Sequence, residues 1–265
     1  MSLTLDHVVI LVHDLQAAVR DYTSLGFTVQ QGGTHADGHT HNALIGFADG
    51  SYLEIIAFLH AHPAHRWGGY AARGHEGFVD YALLPASVAA VVAGARDRGL
   101  AYEGPIDGGR VRPDGQRLAW QIGTPPSPDL PFLCGDITPR ALRVREGEVR
   151  VHANGVTGVA AVTVAVADLE ASLQRYAALG GPEATRPAAT VSATGLGLRL
   201  ATVKLGATDL VLAADGPDAG DEAPLAKALS GRSQGVIGLT LRGPGPRRGL
   251  PAAQTAGAAL TIQPD

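Results

Sequence analysis

Residues 5–27, LDHVVILVHDLQAAVRDYTSLGF, return in altered form at residues 159–181, VAAVTVAVADLEASLQRYAALGG. Setting Asp14 against Asp168 brings Leu15, Ala17, Tyr22, Leu25 and Gly26 onto Leu169, Ala171, Tyr176, Leu179 and Gly180. Each copy opens with a β-branched run, passes through Asp-Leu, continues with apolar residues at helical spacing and ends in Leu-Gly. The pattern predicts strand, cap, helix and stop. The Asp carboxylate accepts from free amides of the first turn, and the glycine takes the left-handed conformation that ends a helix.

Beyond the first copy come an extended stretch at 27–31, a polar Gly/His loop, and further extended stretches at 42–48 and 52–58. Asp49-Gly50 between the last two is a strong hairpin signal, so the unit reads β-α-β-β-β. A weaker echo covers 79–100, with Ser87 as cap and Gly99 as stop, and extended stretches at 117–122 and 131–134 complete it. The third unit closes with 189–200, 201–205 and 208–213 around a turn at Gly206, and from Gly235 onward the chain reads as a truncated fourth. The expected organisation is an N-terminal domain at 1–140 with two modules, a charged, Gly-containing linker at 141–155, and a degenerate C-terminal domain at 156–265. A single compact domain with a long connection is the alternative, and 215–222 reads as a second flexible loop.

Bulk properties bound the function. A net charge of −4 and scattered arginines (Arg20, Arg66, Arg73, Arg96, Arg98, Arg110, Arg112), which read as solvated surface, argue against a nucleic-acid partner. The single cysteine, Cys134, excludes a disulfide framework and multi-cysteine metal sites, and it reads as a buried small hydrophobe rather than a nucleophile. No signal-peptide pattern opens the chain and no apolar stretch approaches the roughly 20 residues that span a bilayer, so no membrane association and a cytoplasmic location are expected. Gly-x-Gly-x-x-Gly, a phosphate-cradling Lys motif and Gly-x-Ser-x-Gly are all missing, which argues against nucleotide cofactors and serine hydrolase chemistry.

The stretches LDHVVILVHDL, GHTHNALIGFADGSYLEIIAF, LPFLCGDITPR and HANGVTGVAAVTVAVADL, in this order, resemble a bacterial-type glyoxalase-like family of the vicinal oxygen chelate superfamily, which also holds bleomycin-resistance proteins and extradiol dioxygenases. The likeness spans residues 3 to about 215. It implies an α+β fold in which βαβββ modules pair into curved, incompletely closed mixed β-sheets around a cup. It also implies that many members hold a divalent metal there with His and Glu from the first and fourth strands of each module.

On this chain those positions are His7 and Glu54. His7 shares a strand face with Val9 and Leu11, and Glu54 shares one with Tyr52 and Ile56. An imidazole and a carboxylate on one concave surface form half of a site suited to Zn, Fe, Mn, Ni or Co. The plainer alternative makes His7 a satisfied core-edge residue and pairs Glu54 with an arginine such as Arg73. In the second module the offset that joins Gly26 to Gly99 brings His7 onto Asp80, a third metal ligand by position, with Cys134 or Asp136 nearest as a fourth. In the C-terminal half the same positions fall on Ala161 and near Val211, so that half keeps no such site and is left with scaffold or dimer-forming duty, a homodimer included.

Of the other histidines, His35, His39, His60 and His62 read as loop decoration, for lack of a helical spacing that fixes their geometry. His41 and Asn42 open the THNALIGF stretch, where the family places rim residues. His41 is a candidate acid/base and Asn42 a candidate substrate ligand, with a β-turn role as the alternative. Tyr52, Trp67 and Tyr70 are candidate pocket walls. The functional expectation is a small oxygenated molecule bound in the N-terminal cup. Either a metal-dependent lyase, isomerase or dioxygenase works on it, with Glu54 as ligand or base, or a metal-free protein sequesters it as antibiotic-resistance members do. A structural role with a vestigial site is the third reading.

Overall fold

The structure, a computed structural model, describes residues 3–181, 190–217, 219, 224–229 and 232–264. The start of the stretch read at 189–200 and part of the loop read at 215–222 lie outside them. The first module is β1 (Thr4–Leu11), α1 (Leu15–Ser24), β2 (Gln30–His35), β3 (Thr40–Gly46) and β4 (Tyr52–Phe58). After a short helix, α2 (Gly68–Ala72), the second is β5 (Gly77–Leu84), α3 (Val88–Asp97), β6 (Glu103–Val111), β7 (Arg117–Thr124) and β8 (Phe132–Asp136). A one-turn helix, α4 (Arg140–Arg143), leads to the third: β9 (Gly158–Ala165), α5 (Leu169–Gly180), β10 (Val191–Ala193), β11 (Leu198–Leu205) and β12 (Thr208–Asp215). Helix α6 (Pro224–Leu229) precedes β13 (Gly235–Arg242), β14 (Arg248–Gly249) and β15 (Leu260–Gln263). The capping residues act as their positions require: Asp14, Ser87 and Asp168 each accept from the amide three residues on.

One pairing rule repeats through the chain. In each module the first strand runs parallel to the last, β1 with β4, β5 with β8, β9 with β12 and β13 with β15. First strands of successive modules pair antiparallel, β1 with β5 and β9 with β13. The register bears out the repeat at residue level. Val9 sits opposite Glu54, and its counterpart Thr163 sits opposite Val211.

The two halves differ in closure. The resemblance implies incompletely closed sheets, yet the N-terminal strands form a closed barrel in the order β1-β4-β3-β2-β6-β7-β8-β5. The closing joint is short, Thr34 opposite Val111 and His35 opposite Arg110. The C-terminal half is a seven-stranded sheet, β10-β11-β12-β9-β13-β15-β14, open at both edges among the described residues. Along β1, Val9 and Leu11 join an inner cluster with Ile56, Trp67, Trp120 and Phe132. Val8 and Ile10 belong to the main core. That core is continuous: it runs from the outer face of the barrel through Tyr22, Val91 and Tyr176 of α1, α3 and α5 to Leu210, Leu212 and Leu239 of the second sheet.

The segment read as a linker is packed against the barrel. Arg143, Val144 and His152 are buried, and His152 spans Gly46 O at 3.0 Å and the Thr28 amide at 3.0 Å.

Because the core is shared, Leu210→Ala should cost about 2–5 kcal/mol. Both tryptophans, Trp67 and Trp120, lie in the barrel. Their fluorescence should nevertheless report the same shifted urea transition as far-UV circular dichroism, although the substitution is in the other sheet. Two separate transitions would show that the halves fold independently.

Candidate functional site

A cavity of about 300 Å³ opens inside the barrel, lined among others by His7, His35, Asn42, Tyr52, Glu54, Trp67, Arg110 and Trp120. Glu54, on β4, is its chemical centre. Its Oε2 faces His7 Nε2 at 3.4 Å, and its Oε1 accepts from Asn42 Nδ2 at 2.6 Å and faces His35 Nε2 at 3.5 Å. Burial favours the neutral acid, but the two imidazoles outweigh it and hold the Glu54 pKa well below the ordinary carboxylate range.

His7 is fixed from behind. A register shift between Leu5 and His7 in the β1–β5 pairing leaves Asp6 out of the ladder. Its Oδ2 lies 2.8 Å from His7 Nδ1, which makes Nδ1 the proton donor and turns Nε2 toward Glu54. Asp6 has no solvent exposure and is neutralised from α4: Arg143 Nη1 donates to it at 2.8 Å and Arg140 Nη1 at 2.6 Å. Arg143 also donates to Tyr52 OH at 2.7 Å and to Asp136 Oδ1 at 2.5 Å. Burial raises the Asp6 pKa, but Arg143, His7 and Arg140 together hold it far below normal. Burial lowers that of His7, but bonds to Asp6 and Glu54 raise it above 6.5 overall. The Tyr52 ring stacks on the His7 ring at 4.5 Å, and Phe132 meets it edge-on at 5.2 Å.

The structure brings His7, Glu54, Asn42, Tyr52 and Trp67 together around this cavity. It does not bring three other expected residues there. His41 alternates with Thr40 and Asn42 on β3 and shares a face with Ala43 and Ile45, which belong to the main core outside the barrel. Tyr70 lines a separate groove beside Trp67 and Pro125. Asp80 lines that groove too, pairing with Arg66 Nη2 at 2.5 Å and accepting from Trp67 Nε1 at 3.0 Å. Arg73 lies over the Tyr70 ring and is no partner of Glu54.

The expected ligand set of His7, Glu54 and Asp80 therefore does not fit a divalent metal. Asp80 is engaged by a guanidinium and an indole, and the two imidazoles at Glu54 take opposite oxygens instead of sharing one point. Among the described residues no three His, Cys, Asp or Glu side chains are placed to hold a metal ion. Cys134 is buried in the cavity wall, and burial pushes its thiol pKa up, as an inert side chain requires.

Sequence reading missed four participants. His35 closes β2 and also hydrogen-bonds Thr40 Oγ1 at 2.7 Å. Asp6 and Arg143 form the buried support, and Arg110, read as surface, is 4% exposed and lines the cavity. An aspartate inside the apolar run LDHVVIL was the available signal, because such a carboxylate needs a distant cation.

A profile of the glyoxalase-like domain family matches residues 5–180. The chain belongs to that family, and with it to the vicinal oxygen chelate superfamily. Among solved structures, a hypothetical protein from Staphylococcus aureus is similar at TM-score 0.73 and 13% identity, covering 99% of this chain and 100% of that chain. A mutant of 4-hydroxymandelate synthase from Streptomyces coelicolor is similar at TM-score 0.64 and 15% identity, covering 95% of this chain and 78% of that chain. At these identities the likeness is one of fold. No protein of curated function matches the chain. Among the described residues no helix is long and apolar enough to cross a membrane.

Two predictions follow from the packing and the charges. A Cβ on Gly32 would lie 1.9 Å from Asn42 Oδ1, so Gly32→Ala should displace Asn42 from Glu54 and cost roughly 1–3 kcal/mol. Gly69→Ala, whose Cβ would meet nothing nearer than 3.5 Å, serves as the tolerant control in the same urea titration. Stability should also have two pH limbs. The raised His7 pKa makes its contribution full below 6.5 and lost as pH rises through the folded value. The depressed Asp6 and Glu54 pKa values make theirs full above the carboxylate range and lost as pH falls toward the folded values. Urea midpoints measured against pH should peak between the limbs, and His7→Gln should remove the alkaline decline.

Proposed function

We propose that the barrel cavity binds a small oxygenated molecule and that Glu54 takes a proton from a carbon next to its carbonyl or hydroxyl group. The observation that carries this reading is a carboxylate placed in the cavity wall with one imidazole facing each oxygen. A general base must be oriented before its pKa matters, and Asn42 and His7 fix this one from two sides. His7, backed by Asp6, stabilises the charged carboxylate and supplies a donor as the proton moves. His35, with a side chain 17% exposed at the cavity edge, is the route by which that proton exchanges with water. The volume of about 300 Å³ is at the small end for ligand pockets, which favours a compact substrate. Proton abstraction of this kind belongs to lyase and isomerase chemistry.

A second reading is sequestration without catalysis. The aromatic wall of Tyr52, Trp67, Trp120 and Phe132 supports it, because such surfaces bind planar or apolar groups without transforming them. Hydrogen exchange separates the two. A panel of small 2-oxo and 2-hydroxy compounds, acids and neutral ketones alike, is incubated with the protein in D2O and followed by proton NMR. Proton abstraction predicts deuterium incorporation at the acidic carbon, reduced on the order of 10²- to 10⁴-fold in Glu54→Gln and unchanged after dialysis against EDTA. Binding with no exchange would leave sequestration. Exchange lost on chelation and restored by one divalent cation would replace both with a metal-dependent mechanism.

A further inference from the structure

Arg110 is buried at 4% exposure in the wall of the same cavity. Its Nη1 donates to Gly32 O and its Nη2 to Arg143 O at 2.9 Å, both backbone carbonyls. These bonds orient the guanidinium without neutralising it, and a guanidinium keeps its charge in proteins. Among the described residues it has no carboxylate partner, whereas the neighbouring cations have theirs. Arg143 and Arg140 are matched by Asp6 and Asp136, Arg66 by Asp80, and His7 by Asp6 and Glu54. Asp37 and Asp107, which also line the cavity, are exposed. Burial depresses the Arg110 pKa, opposed by Tyr52 and Glu54.

A buried cation without a carboxylate partner is costly, and a ligand anion removes that cost. Five N–H donors in a planar fork match a carboxylate in two-point contact, and two of them are already used to hold the fork in place. Of the guanidiniums that line the cavity, Arg66 and Arg143 have carboxylate partners and Arg110 has none among the described residues. A carboxylate balances the Arg110 charge, whereas a phosphomonoester would bring nearly two negative charges into a cavity that also holds Glu54.

We infer that the ligand of this cavity is a small monocarboxylate whose carboxylate docks on Arg110 while its reacting carbon faces Glu54. The inference rests on the reading of the cavity as a small-molecule site and adds the chemical class of that molecule. It is tested by calorimetry and thermal shift with pyruvate, lactate, benzoate and phenylacetate, each compared with its primary amide, and with phenyl phosphate.

At least one acid should bind the wild-type protein, its amide on the order of thirty-fold more weakly, and phenyl phosphate more weakly than benzoate. Arg110→Met should bring acid and amide to equal affinity, and Arg110→Lys should restore part of the difference. Equal binding of acid and amide by the wild type, tighter binding of phenyl phosphate, binding of no acid, or an intact preference in Arg110→Met would each overturn the assignment. The wild-type comparison decides the matter if the variants fail to fold. The two readings fail separately. Glu54-dependent exchange on neutral ketones with no acid preference removes the anion and leaves the base. Acid binding at Arg110 without exchange removes the base and leaves the anion.

Discussion

A carboxylate with no solvent exposure, Asp6 on the first strand, organises this molecule. Left alone in an apolar barrel it would be untenable as an anion. Two arginines from one turn of helix, well over a hundred residues later, make it possible. Once Asp6 is charged, the rest of the site follows in order: it orients His7, His7 faces Glu54, and the same Arg143 holds the Tyr52 hydroxyl that covers His7. Removing one partner from such a network typically costs 3–5 kcal/mol, because the other charges stay buried. The helix that carries the arginines lies between the halves, so the connection is part of the site's foundation.

The fold was largely legible in the sequence because its signals are local and repeated. The Asp-Leu cap, the helical spacing, the Leu-Gly stop and the Asp49-Gly50 turn each act within a few residues, and a second copy removes accidental matches. Val9 pairs with Glu54, and Thr163, which the Asp14–Asp168 register sets against Val9, pairs with Val211. That His7 and Glu54 line one cavity was legible from strand alternation together with the resemblance, which implies that first and fourth strands are neighbours.

The remainder depended on non-local contacts. His35 and Arg110 sit on β2 and β6, whose sequences QQGGTH and EGPIDGGRV are rich in glycine and lack the apolar alternation that marks a buried face. Arg143 lies in a charged stretch that composition alone marks as a connector, and its partner is distant in sequence. Asp80 has the right position by module offset, but Arg66 and Trp67, from the loop before β5, occupy it. His41 was assigned to the rim by analogy, and strand alternation turns it outward. For His35, Arg110, Arg143 and Asp80 a tertiary partner decided the outcome, whereas for His41 the strand's own alternation did.

The short joint that closes the barrel has an evolutionary side. His35 and Arg110, opposite each other there, both reach the cavity. Side chains alternate faces along a strand, so a slip of one residue in that pairing would leave one of the two facing the interior and turn the other away. Insertions and deletions in the loops flanking β2 and β6 are thus constrained in pairs. Among the described residues the C-terminal sheet has no such joint, and Ala161 and Val211 stand at the His7 and Glu54 positions, so no paired register of that kind holds a site there.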